Sequence, residues 1–564
     1  MIADLNPALI MVMGPLLIPL FKGYWRAAYA LLLPVLSFLQ LYSLPAGSHA
    51  ELEVLGMTLT TLHVDRLSFM FAVIFHIAAF ITVVYSLHLR DPMQQAISLI
   101  YAGCALGVVL AGDLVTLFIY WEAAAISSVF LIWARRTPAS YRAGMRYLII
   151  QVISGLMLLG GIILHTGSGG SIEFTQLDLD TAGGLLIFIA FGIKCAFPLL
   201  HNWLVDAYPE ATVTGTVVLS AFTTKMAVYA LATAFPGTEI LIWIGLVMTA
   251  FPIFYAVIEN DLRRVLTYSM INQLGFMVVG VGIGTELALN GAAAHAFADI
   301  LFKALLFMSM GAVLLRTGKI NGSDLGGLYK SMPYTTGFCI IGAASISAFP
   351  LFSAFVTKSM IMEAAAQEGL TVAWLILLFA SAGVFHHAGI KIPFFAFFAH
   401  DSGIRCKEAP ASMLIAMALA ASLSMCIGIF PQTLYTLLPY QTGYEPFTLT
   451  HVVTQLQLLF FSALAFTWLI RRGIYPPELH SVNLDSDWLY RKPGAWLAHQ
   501  ALHSVESGEK GLFITIRKLS FMAGARLHRH HGPKGLLART WPTGSMVLWV
   551  AFLLGVYLIF YYLF

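Results

Sequence analysis

About sixteen runs of roughly 17 to 28 predominantly apolar residues follow one another along this chain, each long enough to cross a bilayer as a helix. They lie near 5–21, 24–42, 67–87, 95–111, 114–133, 144–165, 183–203, 212–234, 239–258, 265–284, 287–315, 337–362, 372–398, 411–430, 451–470 and 545–563. Such a chain has to satisfy its backbone within each span, so the expected fold class is an all-α polytopic membrane protein. Composition agrees: 59% of residues are hydrophobic and 10% charged, against about 25% charged in a soluble domain. No basic stretch followed by a small-residue cleavage site marks the start, so the first run is expected to stay as a helix. Five scattered cysteines (Cys104, Cys195, Cys339, Cys406 and Cys426) have no C-x-x-C spacing, which argues against a cluster, a zinc site or a disulfide framework. No metal, cofactor or nucleic-acid partner is expected.

The basic residues orient the spans. With the first residue outside, alternate loops face the cytoplasm and should hold the lysines and arginines. Lys22 and Arg26, Arg90, the Arg135–Arg146 group, Arg263 and Arg264, Arg316 to Lys330, Arg405 and Lys407, Arg471 and Arg472, and nine more between Arg491 and Arg539 fall there. These make 25 of the 31 basic residues, and the outward loops hold only Arg66. An even number of spans with both termini outside is expected.

Five basic residues remain, all lysines inside predicted spans: Lys194, Lys225, Lys303, Lys358 and Lys391. Glu122 and Asp299 lie at similar depth, with Asp206 and Glu363 nearer span ends. Each central charge opposes insertion by about 2.5–3.5 kcal/mol, so five lysines oppose it by about 12–18 kcal/mol. Function or tight pairing is needed to retain them. A buried ammonium can release its proton and a guanidinium cannot, so a row of lysines suits proton transfer.

Two spans carry a proline in a repeated phrase, "IKCAFPLL" (Ile193 to Leu200) and "ISAFPLF" (Ile346 to Phe352). A proline inside a helix removes a bond and clashes with the preceding turn, so Pro198 and Pro350 are expected to break the seventh and twelfth spans. Lys194 precedes the first and Lys358 follows the second. Paired broken spans mark inverted-repeat transport sites. Five spans separate them, which sets equivalent spans antiparallel and gives spans 4–8 and 9–13 as two inverted five-helix repeats, each with one broken helix.

These residues resemble the antiporter-like subunits of respiratory complex I, membrane-bound hydrogenases and Mrp-type cation/proton antiporters, over roughly residues 60 to 400. The motifs are "GDLVTLFIYWEAAAISSVFL" (Gly112 to Leu131), "KCAFPLLHNWLVDAYPEA" (Lys194 to Ala211), "TTKMAVYAL" (Thr223 to Leu231), "NDLRRVLTYSMINQLGFM" (Asn260 to Met277), "HAFADILFKALLFM" (His295 to Met308), "DLGGLYKSMPYTT" and "FPLFSAFVTKS". The form of the Lys225 motif is similar to that of the D-type Mrp component. There are departures. The proline follows Lys194 by four residues rather than five, Val205 replaces a second proline, "TVTGTVVLS" lacks the prolines that usually open the eighth span, and Asp299 stands where complex I homologues often have histidine.

The resemblance implies a proton relay of Glu122, Lys194, Lys225, His295, Asp299, Lys303 and Lys358, with Lys391 in support. Glu122 and Lys194 would be its carboxylate–lysine pair and Lys358 its outward exit. His295, Asp299 and Lys303 share one helix stripe, where Asp299 pairing with Lys303 is the structural alternative. It implies one member of a multisubunit monovalent cation (Na⁺ or K⁺)/proton antiporter in a bacterial inner membrane, with other membrane subunits, protons, the cation and lipid as partners. A complex I-like or hydrogenase pump subunit, the membrane half of an inorganic-carbon uptake system and a structural scaffold are the alternatives. No cofactor site of its own is implied.

The expected divisions are helices 1–3 (1–94), the repeats (95–236 and 237–400), helices 14–15 (401–471), a cytoplasmic interfacial segment (472–543) and a last span (544–564). The interfacial segment mixes basic and apolar residues at helical spacing and is expected to be interrupted near Gly508 and Gly511. The pair His386 and His387 has no acidic or thiol neighbour in sequence, which favours packing over metal binding.

Overall fold

Because lipid offers the backbone no partner, helices form wherever the apolar runs lie, and a computed structural model of the chain is helical through nearly all of them. It describes residues 5–54, 56–479, 483–532, 535 and 542–563. Met1–Asn483 and Leu484–Phe564 form two separate compact units.

Among the described residues, twelve helices are long and apolar enough to cross a membrane. Of the other expected spans, 24–42 is helical over Gly23–Ser43. The first is a short helix, Pro7–Met13, continued by a tighter 3₁₀ stretch, Gly14–Leu20, that carries Pro15 and Pro19. The seventh and twelfth are broken. Side-chain oxygens start many of the helices, with Asp65, Asp113, Thr137, Thr181, Thr212, Asp261 and Thr285 accepting from backbone N–H groups of the first turn. One stretch read from the sequence as an outward loop is instead an antiparallel hairpin, Gly47–Val54 with Met57–Val64, in register from Gly47 opposite Val64.

The helices that carry Lys225, Asp299 and Lys303 are among the most enclosed. In Val213–Ala234 and Glu286–Thr317 89% of the apolar stretch is buried, against 39% in Thr371–Phe398, which carries Lys391, and 17% in Leu449–Arg471. Lys225, Asp299 and Lys303 are thus held within protein rather than lipid, where charge is cheapest.

Both breaks are built alike, and in each the helix is capped before its proline is reached. Ala182–Lys194 ends when the Ala196 N–H donates to the Ile193 carbonyl (3.1 Å) and the Phe197 N–H to the Gly192 carbonyl (3.0 Å). This is a Schellman cap with alanine, at φ +62°, in the place glycine usually fills. A tight turn follows, Leu200 N–H to Phe197 carbonyl at 2.9 Å, with Pro198 second and Leu199 third at φ +68°. That is the type II pattern, where proline presets the second position and the third needs φ > 0. Pro333–Ile346 ends the same way. Ala348 (φ +56°) donates to Ser345, Phe349 to Ala344, and Phe352 closes the turn on Phe349 at 3.1 Å with Leu351 at φ +74°. The prolines expected to snap the helices from within therefore lie in turns after each helix has stopped. Helix resumes at Asn202 and at Ser353. The Trp203 indole N–H also donates back to the Ile193 carbonyl (2.8 Å), which gives the lysine-to-tryptophan spacing a structural reason.

An alanine held in the left-handed region is strained by about 1–2 kcal/mol, partly offset in a glycine variant by about 0.4–1 kcal/mol of extra unfolded-state entropy. Ala196→Gly is therefore expected to stabilise the protein by roughly 0.5–1 kcal/mol. A raised midpoint in thermal unfolding of the detergent-purified protein checks this.

Span eight also breaks. Val213–Ala221 and Thr223–Ala234 meet at Phe222, where the backbone departs from helical geometry (φ −110°). The span near 372–398 changes to a wider π-helical winding over Phe385–Lys391. In the second unit, Ala495–His531 is one 37-residue helix. It runs through Gly508 and Gly511, where an interruption was expected, because an interior glycine costs only about 1 kcal/mol and does not stop a helix. Within the 472–543 segment, residues 480–482, 533–534 and 536–541 lie outside the described residues.

Candidate functional site: a row of buried charges

Glu122 projects from Leu114–Trp133 and is partly buried, its carboxylate resting against Gly155 of Pro138–Gly167. Its Oε1 has no hydrogen-bond partner among the described residues. Lys194 is the last residue before the first break. Its ammonium donates to the Trp121 carbonyl at 2.6 Å and lies 4.5 Å from the centroid of the Trp121 ring, a cation–π contact. Glu122 and Lys194 thus lie within electrostatic range of each other but are not joined as an ion pair among the described residues. The closeness of Glu122 to Gly155 makes a test. A Cβ at Gly155 would overlap the carboxylate, the mobile end of its side chain. Gly155→Ala is expected to leave the fold intact but displace Glu122 and slow transport by about tenfold or more, as small misplacements of reacting groups do. Flux per purified complex reads this out.

Lys225 lies in the first turn after the break at Phe222 and donates to the Ser220 carbonyl (3.0 Å). It also forms a 2.6 Å ion pair with Asp299, and neither side chain has any solvent exposure. On the helix stripe Asp299 lies between His295 and Lys303, which made Lys303 the expected static partner. Tertiary packing instead turns it to Lys225, joining Thr223–Ala234 to Glu286–Thr317. Lys303 donates to the Ser269 hydroxyl (3.0 Å).

His295 bridges two elements, through Nδ1 with the Thr357 hydroxyl and through Nε2 with the Gln273 side-chain carbonyl, both 3.0 Å. Gln273 in turn donates to Asn272 (2.7 Å). Thr357 neighbours Lys358, whose ammonium points to the Ile346 carbonyl freed at the second break (3.4 Å) and lies 4.8 Å from the Phe276 ring centroid. Ser269, Asn272 and Gln273 were missed as site residues. Their signal was there, as polar residues at i, i+3 and i+4 within an apolar span.

Beside Ser359, the residue after Lys358, a cavity of about 760 Å³ opens between Ser353–Gln367, Thr371–Val384 and the start of Leu449–Arg471. Glu363, Glu445 and Thr454 line it and are exposed, and His451, stacked on Phe355 at 4.3 Å, forms a wall. Its buried floor residue Gln455 donates to the Ser347 carbonyl (3.2 Å), next along from the one Lys358 faces.

Lys391 closes the π-helical stretch. It donates to the Val257 and Glu259 carbonyls (2.7 and 2.6 Å) and pairs with Glu478 at 2.9 Å. Glu478, from the loop after Leu449–Arg471, was not expected. A single acidic residue in "YPPELH" reads as solvated, yet its side chain is only 6% exposed. Burial pushes its carboxyl above the usual range, against the pull of Lys391. Among the described residues no cluster of His, Cys, Asp and Glu could hold a metal ion.

Fold and site together define a polytopic membrane protein that encloses a row of charged side chains in its interior. Residues 111–386, just under half of the chain, match the family described as NADH:quinone oxidoreductase/Mrp antiporter, transmembrane, and the chain resembles that superfamily of antiporter-like proteins. The A-type component of the Na⁺/H⁺ antiporter of Alkalihalophilus pseudofirmus is 28% identical over 499 residues, covering 77% of this chain and 62% of that protein. The D-type component of the antiporter of the same organism is 30% identical over 311 residues, covering 50% of this chain and 62% of that protein. The chain thus spans about three fifths of the length of these relatives. Among solved structures, the Mrp complex from Dietzia sp. superposes with a TM-score of 0.68 at 19% identity, over 82% of this chain and 98% of that one. The archaeal membrane-bound sulfane sulfur reductase gives 0.69 at 22%, over 98% and 99%. At these identities the likeness is one of fold.

Proposed function

We propose that this chain is the proton-translocating subunit of a multisubunit Na⁺ or K⁺/proton antiporter in a bacterial inner membrane. The observation that carries the reading is the buried Lys225–Asp299 pair. It joins the groups around Lys194 to those around Lys303, His295 and Lys358, in an interior where an isolated charge is untenable. Protons pass along Glu122, Lys194, Lys225, Asp299, Lys303, His295 and Lys358 by way of internal water, and the cavity above Gln455 is the outlet beside Lys358. Lys391 supports this row. The other subunits of the assembly supply the cation path.

The reading includes sixteen crossings with both termini outside, and inverted repeats at 95–236 and 237–400. What supports the repeats is recurrence. Asp113 bridges Glu173 as Asp261 bridges Asn321, each partner 148 residues on (113 to 261, 173 to 321). The two Ala-Phe-Pro-Leu breaks recur 152 residues apart (196 to 348) with the same caps and turns.

A pump driven by electron transfer elsewhere is the second reading, favoured by the family's shared description with NADH:quinone oxidoreductase. One experiment separates them. The complex purified through a tag on this chain is placed in vesicles with an imposed pH gradient. Antiport predicts collapse of the gradient on adding Na⁺ or K⁺ without any electron donor; no cation response sinks it.

A further inference from the structure

Lys391, Glu478 and His387 lie outside the row of groups that runs from Glu122 to Lys358. Lys391 is held by carbonyls at the end of Glu239–Ile258, which no helical N–H can satisfy. Its Glu478 partner is folded back under the bundle by Tyr475, whose ring packs on His386 (5.5 Å) and Phe395 (6.2 Å). On its other side Glu478 lines a cavity of about 390 Å³, rimmed by exposed His400, Gly473 and Pro477. The pair therefore has one face on solvent and one in the protein.

On the inner face lies His387, fully buried, four residues before Lys391. Neither ring nitrogen bonds a side chain among the described residues, and its polar neighbour is the Gly383 backbone one turn earlier. It lies within electrostatic range of both Lys303 and Lys391. The winding that carries both is π-helical, a distortion frequent at functional sites. A static clamp between Lys391 and Glu478 accounts neither for the solvent cavity nor for a fully buried imidazole within electrostatic range of two lysines.

The geometry points to Glu478 as a second proton portal, taking protons from solution at the cavity and passing them through Lys391 and His387 to Lys303. This rests on the relay proposed above. A proton from solution neutralises the Glu478 carboxylate and releases Lys391 from its ion pair. Lys391 gives its proton to His387, which gives one to a neutral Lys303 by way of water. The Glu478 proton then returns Lys391 to the ammonium form and the pair re-forms, so one proton enters and one leaves.

The test uses the whole complex in vesicles, with proton flux normalised to assembled complex. Glu478→Gln and His387→Gln are each expected to cut flux about tenfold or more while the complex assembles, and Glu478→Asp to recover part of it. Wild-type flux in either glutamine variant overturns the portal. If Glu478→Gln does not assemble, His387→Gln, which removes no ion-pair partner, decides alone. Lys358→Met in the same assay separates the two ideas. Inactive Lys358→Met beside active His387→Gln removes only the portal, whereas active Lys358→Met removes the relay reading itself.

Discussion

Asp299→Asn is expected to abolish proton translocation and to destabilise the protein, and a double variant separates the two effects. The wild-type pair holds Lys225 and Asp299 at 2.6 Å with both side chains fully enclosed. Asparagine keeps the volume but leaves an ammonium whose only other partner among the described residues is the Ser220 carbonyl. Breaking a buried pair from one side costs about 3–5 kcal/mol, because the remaining charge is stranded. A barrier raised by about 3 kcal/mol slows transfer about a hundredfold, so flux should fall at least that far, and the thermal midpoint of the purified complex should drop. In Lys225→Met/Asp299→Asn no charge is stranded, and replacing a whole buried pair is often neutral. Stability should return toward wild type while flux stays lost. A double variant that transports would make the pair a structural clamp.

That pair also marks where sequence reasoning ends. Charges at membrane depth were legible because insertion penalises them wherever they sit, so Glu122, Asp299 and the five lysines could be picked out singly. The helix period put His295, Asp299 and Lys303 on one stripe. It could not say that the neighbour facing Asp299 would be the kinked span bearing Lys225, since that depends on how spans pack. The repeated Ala-Phe-Pro-Leu phrase was legible as a break, but its mechanism was not. Alanine and leucine carry no sequence mark of positive φ, so the stop was assigned to proline, although the caps at Ala196 and Ala348 end the helices first. The hairpin of Gly47–Val54 and Met57–Val64 lay between two spans and was read as an outward loop. Glu478 was invisible for a different reason. Its burial is created by Tyr475 and by carbonyls more than 200 residues earlier in the chain, around Val257 and Glu259.

Lys358→Met is expected to abolish flux with no loss of stability, the opposite signature to Asp299→Asn. Among the described residues no carboxylate pairs with Lys358. Its ammonium has a 3.4 Å contact with the Ile346 carbonyl and lies over the Phe276 ring. Removing it strands no partner charge and relieves the desolvation of an ammonium, while methionine fills most of the same space. The thermal midpoint should hold or rise as flux falls about a hundredfold, the effect of a barrier higher by about 2.7 kcal/mol. Lys358→Arg sharpens the test. Arginine preserves the positive charge beside His295 and Thr357 but does not give up its proton. If Lys358 passes protons toward the cavity above Gln455, the arginine variant should be as inactive as the methionine one. Substantial flux with arginine would mean that this position needs only a fixed charge, and would move the exit to the neighbouring His295.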